Sequence, residues 1–357
     1  MKILTPLVLA ALGAMLAQPA LAQNATTTPV GAMTYTFNAT ATVTTTTMSI
    51  PLMAPPVYSG KVSSLTPNSI TVTGAAWVAG AYAAAAQPYF VVIKSGSQAG
   101  RMLKVTANTS DTLTLDTSDN STQATALDFS GWALAAGASG DSFELIPGDT
   151  LATIFGDNSG QNPLLFVGGS STLNADSISI FNKSTGLWDA FYFHQTAGNW
   201  RKKGDNVTNQ NNTVVYPEAG FMITRRSGRP AAGPLTITGT VPTVAPITKF
   251  SGTSQATATS SRFPVDCTIA NLRYSHWTKG TSTLNSDVLN VFNPTTGMWD
   301  AYYQLSSNSQ WRKRGDNVTD YSNFSIQAGS AITITKRGAL TNTQSLVSST
   351  QMPYALQ

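Results

Sequence analysis

One cysteine, two histidines and two glutamates are all that 357 residues offer of those side chains. Cys267 cannot form an internal disulfide, so the cores must hold by burial and sheet hydrogen bonding, and a buried, inert thiol is its expected state. A zinc site wants three or four His, Cys or carboxylate ligands at recognisable spacing, and none stands out. Nothing in the sequence orients Cys267 towards His276 as a nucleophile and base. No Gly-x-Ser-x-Gly elbow, phosphate loop or dinucleotide fingerprint occurs in a strand-turn-helix context.

Charge is scarce as well. Charged residues make up 11% of the chain, against an average of about 25%. Basic residues cluster at Arg201-Lys202-Lys203, Arg225-Arg226, Arg312-Lys313-Arg314 and Lys336-Arg337, but the net charge is only +4, which argues against nucleic acid as a partner. Long apolar runs are missing beyond the N-terminus, so no transmembrane helix is expected in the mature chain. The expected strands are also too short and irregular for an outer-membrane barrel.

At the N-terminus Lys2 precedes an apolar run from Ile3 to Leu16, and Ala20-Leu21-Ala22 then offers a small-x-small cleavage site. Residues 1–22 are expected to be a secretory signal, which places the protein in the periplasm, at the cell surface or outside the cell. Residues 23–56 read as a low-complexity Thr/Ala-rich, solvated leader with room for one edge strand. From Tyr58, short alternating runs separated by turn signals predict a small barrel or meander over 57–156. Ala83–Ala86 and Asp149–Phe155 resist a strand reading and suit helical turns.

The strongest signal is an internal repeat. Between residues 171–208 and 282–319, at a constant offset of 111, 21 of 38 positions are identical. The matches include Trp188-Asp189-Ala190 with Trp299-Asp300-Ala301, Trp200-Arg201-Lys202 with Trp311-Arg312-Lys313, and Gly204-Asp205-Asn206 with Gly315-Asp316-Asn317. Further on, Ala219-Gly220 invites alignment with Ala328-Gly329, and Arg225-Arg226 with Lys336-Arg337. The expected organisation is therefore all-β: the N-terminal domain, one repeat over 157–246, then a linker and second repeat over 247–357, with the connection near 243–265. The two units are expected to pack as a pseudo-twofold sandwich.

The repeated residues admit several readings. Trp188 and Trp200 are expected to pack in each copy's core. A sharper alternative makes Trp200 and Trp311 platforms for sugar rings, with Asp205, Asn206, Asp316 and Asn317 binding hydroxyls of a cell-surface polysaccharide. Gly-Asp-Asn also admits calcium, although a turn is the simpler explanation, and no other cofactor is indicated. A glycan hydrolase would need an Asp pair such as Asp189 with Asp205, or Asp300 with Asp316, and the sequence gives no sign of a raised acid pKa. Arg201 and Lys202 suit a charged edge strand.

Phe-Asn, Trp-Asp-Ala-(Phe/Tyr)-Tyr, Trp-Arg-Lys-x-Gly-Asp-Asn and the terminal Arg-Arg or Lys-Arg, together with the Phe90–Asp116 meander and the 148–156 segment, resemble a family of exported bacterial β-repeat proteins with no known activity. The resemblance spans most of residues 57–357 and implies export and an all-β build. The expected function is non-catalytic: a cell-envelope or extracellular protein acting through surface or self-association.

Overall fold

A computed structural model describes residues 29–116, 134–160, 162–182, 185–250, 256–274, 277–337, 346–350 and 352–354. Residues 1–28, and with them the expected signal, lie outside the described residues. The fold is all-β, built from antiparallel sheets. No helix among the described residues is long and apolar enough to cross a membrane.

The chain opens with β1 (Val30–Phe37) and β2 (Thr44–Ser49). It then enters a seven-stranded sheet made of β3 (Tyr58–Lys61), β4 (Ser64–Thr66), β5 (Ser69–Thr71), β6 (Tyr89–Ile93), β7 (Met102–Asn108), β8 (Thr112–Leu115) and β9 (Ser142–Pro147). The strand order is β3-β9-β6-β7-β8-β5-β4. Its two edge strands are joined only by Val62 and Ser63, so the sheet curls until both edges are one continuous stretch of chain. Val62, Ile70, Val91, Leu103, Leu113 and Leu145 fill the inside. Ala83–Ala86 contributes turns and no helix.

The first repeat unit follows: β10 (Asp149–Thr150), the short helix α1 (Leu151–Phe155), β11 (Ser177–Asn182), β12 (Leu187–His194), β13 (Asn199–Lys202), β14 (Val214–Val215), β15 (Gly220–Arg225) and β16 (Ala232–Thr240). Thr150 caps α1, exchanging hydrogen bonds with Thr153. The principal sheet runs β13-β12-β11-β15-β2, and β1 pairs with β16 as a separate ribbon. Residues 30–49, expected to be a solvated leader, therefore form two strands of this unit. Thr44–Thr47 lacks apolar alternation, yet β-branched threonine suits a strand, and the ladder with β15 supplies the backbone partners.

The second unit contains β17 (Ile247–Phe250), β18 (Ala256–Ser260), β19 (Cys267–Thr268), β20 (Leu272–Tyr274), β21 (Val288–Asn293), β22 (Met298–Gln304), β23 (Trp311–Lys313), β24 (Ser325–Ile326), β25 (Ala331–Thr335) and β26 (Leu346–Thr350). Its principal sheet is β18-β25-β21-β22-β23, so β18 stands where β2 stands in the first unit. The expected linker over 243–265 thus contains two strands. The ladders place Ser49 opposite Gly220 and Ser260 opposite Ala331. Gly220 therefore corresponds to Ala331, and the alignment of Ala219-Gly220 with Ala328-Gly329 is corrected. Core burial of Phe221 and Ile223, matched by Ile332 and Ile334, fixes the register.

Each unit is thus complete only with its two leading strands, and the curled domain is inserted into the first unit between β2 and β10. Residues 261–266 make the same connection in the second. The inserted domain ends at Pro147 and not at 156, because Leu151 and Phe155 belong to the first unit's core.

The two principal sheets meet back to back. β15 lies against β25 and β18, while β2 lies against β25. That exchange between equivalent strands is what an approximate two-fold produces. Trp188 stacks on its counterpart Trp299, with centroids 6.5 Å apart and planes 26° from parallel. A Cβ on Gly220 would overlap Thr259 O and Ala331 Cβ. Gly220→Val should therefore lower stability by about 1–3 kcal/mol in urea unfolding. Gly233→Ala, where a Cβ meets nothing within 4 Å, should stay within about 0.5 kcal/mol.

Candidate functional site

Trp200 is 1% exposed on β13, packed against Phe155 and Phe193, and its indole Nε1 donates to Gly156 O at 2.7 Å. Trp311 is 5% exposed and belongs to the second unit's core. Neither ring is an open platform on the protein surface, which corrects that reading: the alternation of β13 and β23 turns both indoles inward, although Trp311 also borders a cleft beside Tyr274 and Trp277.

The Gly-Asp-Asn segments are turns. Asp205 Oδ1 accepts from the backbone N–H of Val207 and Thr208, and Asp316 Oδ1 from Val318 and Thr319, each at 3.0 Å. Tyr321 adds its hydroxyl to Asp316 Oδ2 at 3.0 Å. Asn206 and Asn317 each accept, through Oδ1, the hydroxyl of a tyrosine on the adjoining strand, Tyr192 at 2.8 Å and Tyr303 at 2.9 Å. The six candidate binding residues are thus a pair of buried indoles, a pair of turn-forming carboxylates and a pair of tyrosine-bound amides. Among the described residues no group of three or more His, Cys, Asp or Glu side chains is placed to hold a metal ion.

These hydrogen bonds stabilise the carboxylate form. Those from Thr208 and then Val207 lower the Asp205 pKa to about 2, and those from Thr319 lead in lowering that of Asp316. A glycosidase acid needs the opposite shift. Asp189 is bound by Lys202 Nζ at 2.7 Å and Asn182 Nδ2 at 3.0 Å, and Asp300 by Lys313 Nζ at 2.8 Å and Asn293 Nδ2 at 3.1 Å. β13 is a sheet edge, as expected, but Arg201 is buried there and Lys202 is paired. Cys267 is buried, its pKa raised by desolvation to about 11, which leaves a thiol and not a nucleophile at neutral pH. His276 lies outside the described residues. His194 accepts the Ala197 N–H through Nδ1 at 3.1 Å.

Sequence reasoning missed the buried ion pairs. Asp287 is fully buried and receives Lys336 Nζ at 2.7 Å, together with the backbone N–H of Thr278 and Arg337. Asp176, its counterpart, receives Arg229 Nε at 3.1 Å and the backbone N–H of Arg226, with Arg225 Nε 3.7 Å away. The terminal Arg-Arg and Lys-Arg therefore tie the end of each principal sheet to the loop before its central strand. The available signal was the identity of Asp176 and Asp287 within the repeat.

Two outcomes follow from this chemistry. A carboxyl titration by NMR should place Asp205 near pH 2. Because its folded pKa lies below the unfolded 3.8, its contribution to stability should be full above that value and fade as pH falls through about 2. Asp287→Ala should cost about 3–5 kcal/mol in urea unfolding, while Asp287→Leu combined with Lys336→Met should cost less than either single change. Compared with protein-family models, curated proteins and solved structures, the chain matches none.

Proposed function

We propose that the protein is a non-catalytic, exported building block of the cell envelope or extracellular surface that acts by associating with further copies of itself. One observation carries the reading. Leu173 and Leu284 are 82% and 83% exposed, and Val207 and Val318 are 84% and 86% exposed, at matching positions in the two units. A single exposed leucine or valine is ordinary. The same two residues, kept in both copies and projecting into solvent where the turns do not need them, suit apolar contact with a partner.

The polar part of the repeat supports the same conclusion. Asp189, Asp205 and Asn206 and their counterparts spend their bonds inside the protein, on ion pairs, turns and tyrosines. The N-terminal pattern of residues 1–22 supports export. The outer edge of β1, which pairs with no other strand among the described residues, offers a further lateral contact.

Sedimentation velocity of residues 23–357 over roughly a hundredfold range of concentration tests the reading. The mass should rise with concentration, and Val207→Asp with Val318→Asp should restore a monomer without changing the melting temperature. A monomer throughout, or assembly untouched by the double change, would overturn it.

A further inference from the structure

The two units begin alike and then diverge beside the buried tryptophan of β13 or β23. In the first, Leu151 and Ala152 N–H donate to Thr213 and Asn211 O; in the second, Ile269 and Ala270 donate to Phe324 and Ser322 O. Beyond this point α1 continues through Phe155, whose ring packs on Phe166, Trp200 and Phe221, and Gly156 O takes the Trp200 indole. In the second unit the helical turn stops at Asn271 and the chain leaves as β20 to pair with β26. Tyr274, which occupies Gly156's place in this alignment, goes with it.

What the first unit fills, the second leaves open. A cleft of about 320 Å³ lies beside Trp311, walled by Tyr274, Trp277 and Trp311 and edged by Gln304, Ser309 and Ser322. Small-molecule sites span roughly 300–1,000 Å³, so this one suits a single small group. Tyr274 and Trp277 are stacked, with centroids 4.7 Å apart and planes 25° from parallel, and Trp277 meets Trp311 at 5.3 Å. Trp277 stands where the first unit has Phe166, and its buried Nε1 has no protein acceptor among the described residues. Arg273 is the one charged residue of the lining.

We propose that this cleft is a binding site for a neutral hexopyranose unit of a polysaccharide. The apolar C–H face of a sugar ring matches the aromatic wall, while the unpartnered Trp277 N–H as donor and the amide and hydroxyl oxygens of the rim as acceptors match its hydroxyls. Gln304 Nε2 donates to Ser309 O at 2.8 Å, Lys279 Nζ to Ser309 Oγ at 2.7 Å and Ser322 Oγ to Asp320 Oδ1 at 2.6 Å, which fixes the rim in place and leaves its oxygens as acceptors opposite the Trp277 N–H donor. The site uses a different face of the molecule's chemistry from the association proposed above, so binding by a monomer and assembly without binding are separately readable.

Tryptophan fluorescence and calorimetry of the purified protein, titrated with cellohexaose, maltohexaose, laminarihexaose and mannohexaose, test the site. Saturable binding of at least one is expected. Trp277→Ala and Gln304→Ala should each weaken it roughly tenfold or more with the far-ultraviolet dichroism retained, and Trp188→Phe should leave it unchanged. No response to any of the four at about 10 mM would overturn the proposal. So would binding indifferent to Gln304→Ala, the milder change if Trp277→Ala disturbs folding, or a response only to the anionic hexagalacturonate.

Discussion

Where the two principal sheets touch, at Gly220 and Ala331, their back faces carry little bulk, and much of the molecule is arranged around that contact. Gly220 sits on Ala331, and Cα atoms of β15 and β25 approach within 8 Å, closer than the roughly 10 Å usual between packed sheets. At the contact itself the residues are small, with Gly220 meeting Thr259 and Ala331. The indoles of Trp188 and Trp299 stack further out along the same faces. Because a sheet covered on both sides has few positions left for charge, β11 is buried along nearly its whole length, including Ser177 and Ser179.

Beside that contact, Glu218 joins all three modules. Its carbonyl accepts the Thr259 hydroxyl at 3.1 Å, and its carboxylate acts on two buried guanidiniums, Arg101 from the inserted domain and Arg262 from the second unit. Burial pushes Arg101 down to about 9 and lowers Arg262, and in both the charge of Glu218 works against that shift. At about 9, Arg101 remains a cation at neutral pH. Arg262 also reaches Gly100 O and Ile247 O, and a Cβ on Gly100 would overlap Ala245 O, so the backbones are in close contact there. Charges removed from water gain little net stability, since desolvation offsets attraction, but they penalise misplacement strongly. This cluster lies where the inserted domain and the second unit touch.

Much of this was legible in advance and some was not. The repeat core, the meander from Tyr58 and the helical turn after Asp149 follow from local pattern and from identity between copies. Of the two tryptophans expected in each copy's core, Trp200 and its counterpart Trp311 are there, whereas Trp188 and Trp299 lie outside the cores and stack on one another between the units. The strand roles of Thr44–Ser49 and Ala256–Ser260 were hidden, because their alternation is between threonine or alanine and little else. The cleft at Trp277 was hidden too: it arises from a change of path at Leu272, a departure that only pairing with β26, some seventy residues later, explains.

By itself the sequence determined that there are two copies of one β unit, that no disulfide holds them, and that Asp205 and Asp316 stand at turns, because each depends on residues close together in the chain or on direct identity. Tertiary structure decided which strands complete each unit, that the curled domain interrupts the first, and which faces meet. An alternating strand reads alike whether its second face meets water or another sheet, and only contact between distant segments distinguishes the two.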